Sequence, residues 1–154
     1  MGLGQTISQP FIVALMSDIW DLEPHDKVLE IGTGCGYQTA VLAALAGRVY
    51  SVEVVPDLSR RAEDTLARLN TSKVHLNVGN GREGWANHAP YQAIMVTAAG
   101  PYVPGKLAEQ LDRGGRMIIP VGPPGGPQNL ILMTKDEKGA LSDEVILPVA
   151  FVPW

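Results

Sequence analysis

The stretch Val28-Leu29-Glu30-Ile31-Gly32-Thr33-Gly34-Cys35-Gly36-Tyr37 restricts the possible folds of this chain more than any other. A short apolar run ends in an acid and then in three glycines at alternate positions. The alanines and leucines from Tyr37 to Ala46 read as a helix. Strand, glycine turn and helix in that order build a crevice of the nucleotide-binding kind. Glycine lets the backbone approach a ligand closely, and the turn presents free amide N–H groups at a helix start. Gly32, Gly34 and Gly36 are therefore candidate binding residues.

The spacing narrows the ligand. A dinucleotide site wants G-x-G-x-x-G, with the third glycine admitting close helix–strand packing. Here the third glycine comes one position early, and Tyr37 stands where glycine or alanine would be expected. Glu30 would sit badly beside a pyrophosphate, because two anions would share a poorly solvated crevice. A cofactor with a cationic end and no phosphate suits the loop better. S-adenosyl-L-methionine, an adenosine bearing a sulfonium and an α-ammonium group, is such a molecule.

The remaining chain supplies a sheet around that turn. Gly2 to Pro10 is loop-like, and Ser8 can cap a helix over Phe11 to Trp20, with Pro10 in its first turn. Strands are predicted at Lys27–Ile31, Arg48–Glu53, Lys73–Val78, Tyr91–Thr97, Arg116–Val121, Asn129–Thr134 and Val145–Val152. Helices are predicted from Pro56 to about Asn70 and from Pro104 to Leu111, the latter closed by Asp112-Arg113-Gly114-Gly115. Lys135 to Gly139 is a polar turn too short for a helix, so the last two strands should pair antiparallel. The expected architecture is a doubly wound α/β sheet, mostly parallel, with an antiparallel C-terminal edge. Ligands in such sheets bind at the carboxyl ends of the strands. Glu30, the glycines, Glu53, Asn80 and Thr97 all fall there. Glu53, at the tip of the second strand, can accept both hydroxyls of a ribose, and the small residues from Thr97 onward leave room for a ligand.

Composition excludes other classes. With 154 residues the chain forms one domain with a real core, and 45% apolar against 18% charged residues makes it globular. A formal charge of −4 argues against nucleic acid as a partner. Cys35, the only cysteine, permits no disulfide and reads as a small filler in the loop; a cytoplasmic setting is expected. Met1 is followed by glycines and polar residues, not a signal peptide, and no apolar run approaches membrane-spanning length. His25, His75 and His88 show no ligand spacing, so no metal is expected and they read as surface or packing residues.

The chain resembles the protein-L-isoaspartate O-methyltransferases. Gln5-Thr6-Ile7-Ser8-Gln9-Pro10, VLEIGTGCGY, VYSVE, the Gly79 to Trp85 turn, APYQAIMVTAA, LDRGGRMIIPVG and Val149-Ala150-Phe151-Val152-Pro153 carry the resemblance over nearly the whole chain. Many class I methyltransferases share the glycine motif, whereas the QTIS-x-P segment is far more specific. The resemblance implies a Rossmann-like methyltransferase fold in one domain over residues 1–154. Residues 1–10 would be its active-site loop, 27–121 its cofactor-binding core and 128–154 its antiparallel strands.

The implied activity is methyl transfer from S-adenosyl-L-methionine to the α-carboxylate of L-isoaspartyl residues in damaged peptides and proteins. S-adenosyl-L-homocysteine is released, and the ester cyclises to a succinimide that reopens partly to normal aspartate. By similarity Ser8 is the active-site serine, near the methyl and the acceptor carboxylate, and Thr6 and Ile7 help close the cofactor pocket. Glu30 and Gly32 face the methionine part, Glu53 and Val54 the ribose, and Asn80 and Gly81 the adenine. Val149, Ala150, Phe151 and Val152 hold the peptide through their backbone. A carboxylate is already an anionic nucleophile at neutral pH, so alignment in a dry pocket matters more than acid–base machinery. A monomer in the cytoplasm is expected.

Three departures stand out. Asn80 replaces the family's aspartate in the Gly-Asp-Gly turn, which removes charge assistance from an adenine contact. The chain begins almost at the QTIS segment, and it stops at Trp154, just after the closing strand. An exposed apolar face is expected where an N-terminal portion would pack. Two other readings are a different class I methyltransferase, and a truncated module that binds cofactor or protein with little or no turnover. A nicotinamide oxidoreductase is weakened by the early third glycine, and a serine hydrolase by the lack of a G-x-S-x-G elbow.

Overall fold

A computed structural model describes residues 22–34, 36–69, 73–123 and 126–150. The predicted Phe11 to Trp20 helix lies outside them. Strand β1 is Lys27–Ile31, followed by helix α1 (Tyr37–Leu45), β2 (Arg48–Glu53), α2 (Pro56–Arg68) and β3 (Val74–Val78). Two 3-10 turns, Gly81–Glu83 and Ala86–His88, lead to β4 (Tyr91–Val96). Helix α3 (Gly105–Gln110), β5 (Leu111–Val121), β6 (Gln128–Lys135) and β7 (Leu141–Val149) complete the order. The seven strands form one sheet in the order β3-β2-β1-β4-β5-β6-β7. The first five run parallel, and β6 and β7 are antiparallel, as the short connection between them requires.

Alternation along the strands builds two cores. Val28, Val49, Ala93, Met95 and Ile118 face one way and pack on Leu42, Ala43 and Ala46 at or just beyond α1. Leu29, Ile31, Tyr50, Val52, Ile94 and Met117 face the other way, together with Leu107 of α3. Covered on both faces, the central strands read as near-continuous apolar runs. Each fully buried leucine, such as Leu29 or Leu42, contributes roughly 2–3 kcal/mol. Pro56 at the start of α2 and Asp57 in its first turn suit a helix beginning there. Among the described residues, no helix is long and apolar enough to cross a membrane.

Two elements differ from expectation. Strand β5 starts at Leu111, so Asp112-Arg113-Gly114-Gly115 belongs to the strand and does not close the helix. It forms an irregularity in which Tyr91 pairs with Leu111 and Ala93 with Arg116, with Gly114 at a φ of 78°. Strand β7 starts at Leu141, ahead of the expected Val145, because the polar run Ser142-Asp143-Glu144 pairs with Thr134, Met133 and Leu132 on an exposed edge. An edge strand tolerates such residues, so its sequence looks like a turn. Large apolar side chains exposed among the described residues sit mostly at element ends, including Tyr37, Val54, Val78 and Tyr102. A groove of about 510 Å³ also opens between α2 and β3, with Leu66, Val74, Leu76 and Val78 in its walls.

Candidate active site

Gly32, Gly34 and Gly36 have φ values of 100°, 55° and 89°, all left-handed. At Gly32 glycine is required twice over, because a Cβ there would also collide with the hydroxyl of Thr97. That hydroxyl's one proton is shared between the carbonyls of Ile31 and Gly32, both at 3.1 Å. Thr97 therefore pins the end of β1, a task beyond leaving space. Gly36 caps α1 without any side-chain hydrogen bond at the helix start.

Glu53 connects the two glycine-rich turns. Its Oε1 accepts from the Gly34 amide at 2.8 Å and its Oε2 from the Val55 amide at 2.9 Å. Its carbonyl accepts from the Gly79 amide at 3.0 Å. The side chain is only 5% exposed, yet each carboxylate oxygen keeps a second lone pair for a hydroxyl donor. Val54, next in the chain, is exposed.

Glu30 lies at the carboxyl end of β1. It is wholly buried beneath α1. Thr39 and Ser51 both donate to its Oε1, the latter at 2.6 Å, and its Oε2 has no hydrogen-bond partner. The reason is alternation: Glu30 shares the face of Val28, which α1 covers. Burial pushes its carboxyl up, the hydrogen bonds from Ser51 and Thr39 hold it down in part, the charge of Glu53 adds to the rise, and together they leave it at about 7.

The second turn carries its own cap and is braced by α3. Asn80 Oδ1 accepts from the Arg82 amide at 3.0 Å and caps the 3-10 turn Gly81–Glu83, with Gly81 buried. Gln110 of α3 fastens the turn from behind, accepting from the Trp85 amide at 3.0 Å and donating to the Glu83 carbonyl at 2.9 Å. Lys106 pairs with Glu83 at the surface.

Glu53, the glycines, Thr97 and Asn80 thus meet at one rim, with Glu30 just below it. Val149 pairs with Gln128 at the far side of the sheet, and Ala150 beyond it is exposed. Thr6, Ile7, Ser8, Cys35, Phe151 and Val152 lie outside the described residues. Ser51, Thr33, Thr39 and Gln110 were not singled out from sequence. Ser51 carried a usable sign, a hydroxyl on the same face as Val49 in an otherwise apolar strand.

At the opposite end of the strands, His75 and His88 stack on Tyr50 with ring centroids 4.8 and 4.4 Å away. Lys27 Nζ donates to the His88 carbonyl at 2.5 Å. The histidines are packing groups there, and no cluster of three or more metal-ligating side chains exists among the described residues.

The model of one family, protein-L-isoaspartate(D-aspartate) O-methyltransferase, matches residues 1–154. A protein-L-isoaspartate O-methyltransferase 2 of Polaromonas sp. strain JS666 is 52% identical over 99% of this chain and 72% of its own length. A protein-L-isoaspartate O-methyltransferase 1 of Cupriavidus necator is 55% identical over 99% of this chain and 59% of its own length. The chain therefore spans roughly three-fifths to three-quarters of such relatives. A solved protein-L-isoaspartate O-methyltransferase superposes with a TM-score of 0.90 at 30% identity, over 100% of this chain and 50% of that one. A Plasmodium falciparum protein assigned to the same activity, in complex with S-adenosyl-L-homocysteine, superposes at 0.85 over 99% of this chain and 77% of that one; at 24% identity it speaks for the fold alone. With the family model matching residues 1–154 and a relative 52% identical over 99% of this chain, the chain belongs to the protein-L-isoaspartate(D-aspartate) O-methyltransferase family.

Proposed function

We propose that the chain methylates the α-carboxylate of L-isoaspartyl residues in damaged peptides and proteins, with S-adenosyl-L-methionine as donor. The methyl ester would start repair through a succinimide. The observation that carries the reading is Glu53, whose buried carboxylate accepts from the Gly34 amide of the first glycine-rich turn while its backbone carbonyl accepts from Gly79 of the second. Its spare lone pairs suit the two hydroxyls of a ribose. The rest of the rim fits the donor as well. A Cβ at Gly34 would meet only open space, which leaves the turn accessible to a ligand, and the unpartnered Oε2 of Glu30 supplies buried negative character near a cationic ligand. When bound, that cofactor supplies an electrophilic methyl group on a sulfonium.

In this reading Gly32, Gly34 and Gly36 shape the methionine end and Glu30 lies beneath it. Glu53 and Val54 hold the ribose, Asn80 and Gly81 border the adenine, and Thr97 keeps the crevice open. Thr6 and Ile7 close the pocket, Ser8 aligns the acceptor carboxylate, and residues 149–152 pair with the peptide backbone. The protein acts as a monomer in the cytoplasm.

Methyl transfer to an isoaspartyl peptide, with its ordinary aspartyl isomer as control, tests the proposal. Incorporation confined to the isoaspartyl peptide is expected, and equal or absent labelling refutes it. Because the chain spans only part of its relatives' length, a binding-only role is the second reading. Tight binding of S-adenosyl-L-homocysteine without turnover would favour it.

A further inference from the structure

Beneath the first glycine turn runs a line of buried hydroxyls to which the roles above assign no task. Thr33, between Gly32 and Gly34, is 4% exposed, and its Oγ1 lies 2.6 Å from Ser51 Oγ. Ser51 is fully buried on β2 and donates to Glu30 Oε1 at 2.6 Å. A hydroxyl has one proton to give, and Ser51 gives it to Glu30, so Thr33 is the donor in the Thr33–Ser51 pair. The line therefore runs from the loop through Ser51 to the carboxyl group. Thr39 donates to the same carboxyl oxygen, and Oε2 is left without a partner.

We propose that Ser51 is a positioning residue of the methyl-donor site: it holds the glycine turn through Thr33 and ties the shape of that turn to the ionisation of Glu30. The proposal rests on the cofactor reading above. An ionised Glu30 accepts from both hydroxyls as they stand. A proton added at Oε2 would be a buried donor without an acceptor. A proton added at Oε1 would turn that oxygen into a donor, reverse Ser51, and drive the Thr33 proton to seek another acceptor. Either change loosens the turn. A cationic ligand above the turn favours the carboxylate through opposite charge at low dielectric, so ligand binding and ionisation reinforce each other. Of the described elements packed around Glu30, β2 brings Glu53, whose charge opposes ionisation, while α1 and β4 bring no charged side chain.

Calorimetric titration of the whole chain with S-adenosyl-L-methionine, which carries the sulfonium charge, at about pH 6 and about pH 8, tests this. The unmodified chain is expected to bind several-fold more tightly at the higher pH. Ser51→Ala should weaken binding about tenfold and flatten the pH response, and Glu30→Gln should flatten it too. If circular dichroism shows Ser51→Ala unfolded, Thr33→Val decides, since it cuts the line at the loop and leaves the Ser51–Glu30 bond in place; several-fold weaker binding is then expected. Binding by the variants as tight and as pH-dependent as that of the unmodified chain overturns this proposal alone. No binding by the unmodified chain overturns the cofactor reading and this proposal with it.

Discussion

The two glycine-rich turns sit at the same rim of the sheet and differ in one respect, that only the second caps its own start. The first, Gly32 to Gly36, has no side-chain cap on the helix it opens and depends on groups from other elements: Glu53 from β2, Thr97 just past β4, and Ser51 through Thr33. The second, Gly79 to Gly84, caps itself with Asn80 and leans on Gln110. The first is therefore sensitive to its surroundings, including a buried ionisable group. The second is a preformed wall whose charged pair, Glu83 with Lys106, stays in water.

The sharpest way to break the contrast is Gly32→Ala. A left-handed φ and a collision with the Thr97 hydroxyl should together cost about 3 kcal/mol of stability in chemical denaturation. A cost near zero would mean that the first turn is not held as described.

Next comes pH. Glu30 is pushed from 4.5 up to about 7, so the folded chain keeps a proton that the unfolded chain has released. Its stabilising contribution is complete below about pH 4.5 and is lost as pH rises through about 7, at up to roughly 1.4 kcal/mol per unit. Glu30→Gln should remove that slope from denaturation curves measured across the window. An unchanged slope would relocate the sensitivity away from the first turn.

Gln110→Ala tests the second turn. Loss of its bonds to Trp85 and Glu83 leaves two backbone groups unpaired, which should cost about 2 kcal/mol. Affinity for S-adenosyl-L-homocysteine should change less than about twofold, because the first turn is untouched. A large loss of affinity would show the two turns to be coupled. The smallest effect is expected from Asn80→Asp, which keeps the cap and adds charge toward an adenine amino group. It should tighten cofactor binding by a few-fold, and equal affinity would discard the idea.

Local pattern alone revealed β1, β2, β4, the glycine turn, Glu53 at a strand tip and the antiparallel ending, because each rests on period-two alternation or on glycine and proline punctuation within a few residues. The polar start of β7 and the Gly114 irregularity in β5 look like turns in sequence, since an exposed edge and a bulge both borrow the residues of turns. The sequence puts Glu30 at the carboxyl end of β1 beside the other rim candidates, and the structure buries it there beneath α1. Its burial depends on α1 lying over that face, and its partners Thr39 and Ser51 come from the next helix and the next strand. The sequence by itself determined a strand–glycine–helix crevice suited to a cationic adenosyl ligand. Only the tertiary structure decided which carboxylate reaches the rim and which is buried under it, because contacts between residues far apart in the chain set the desolvation and hydrogen bonding of each.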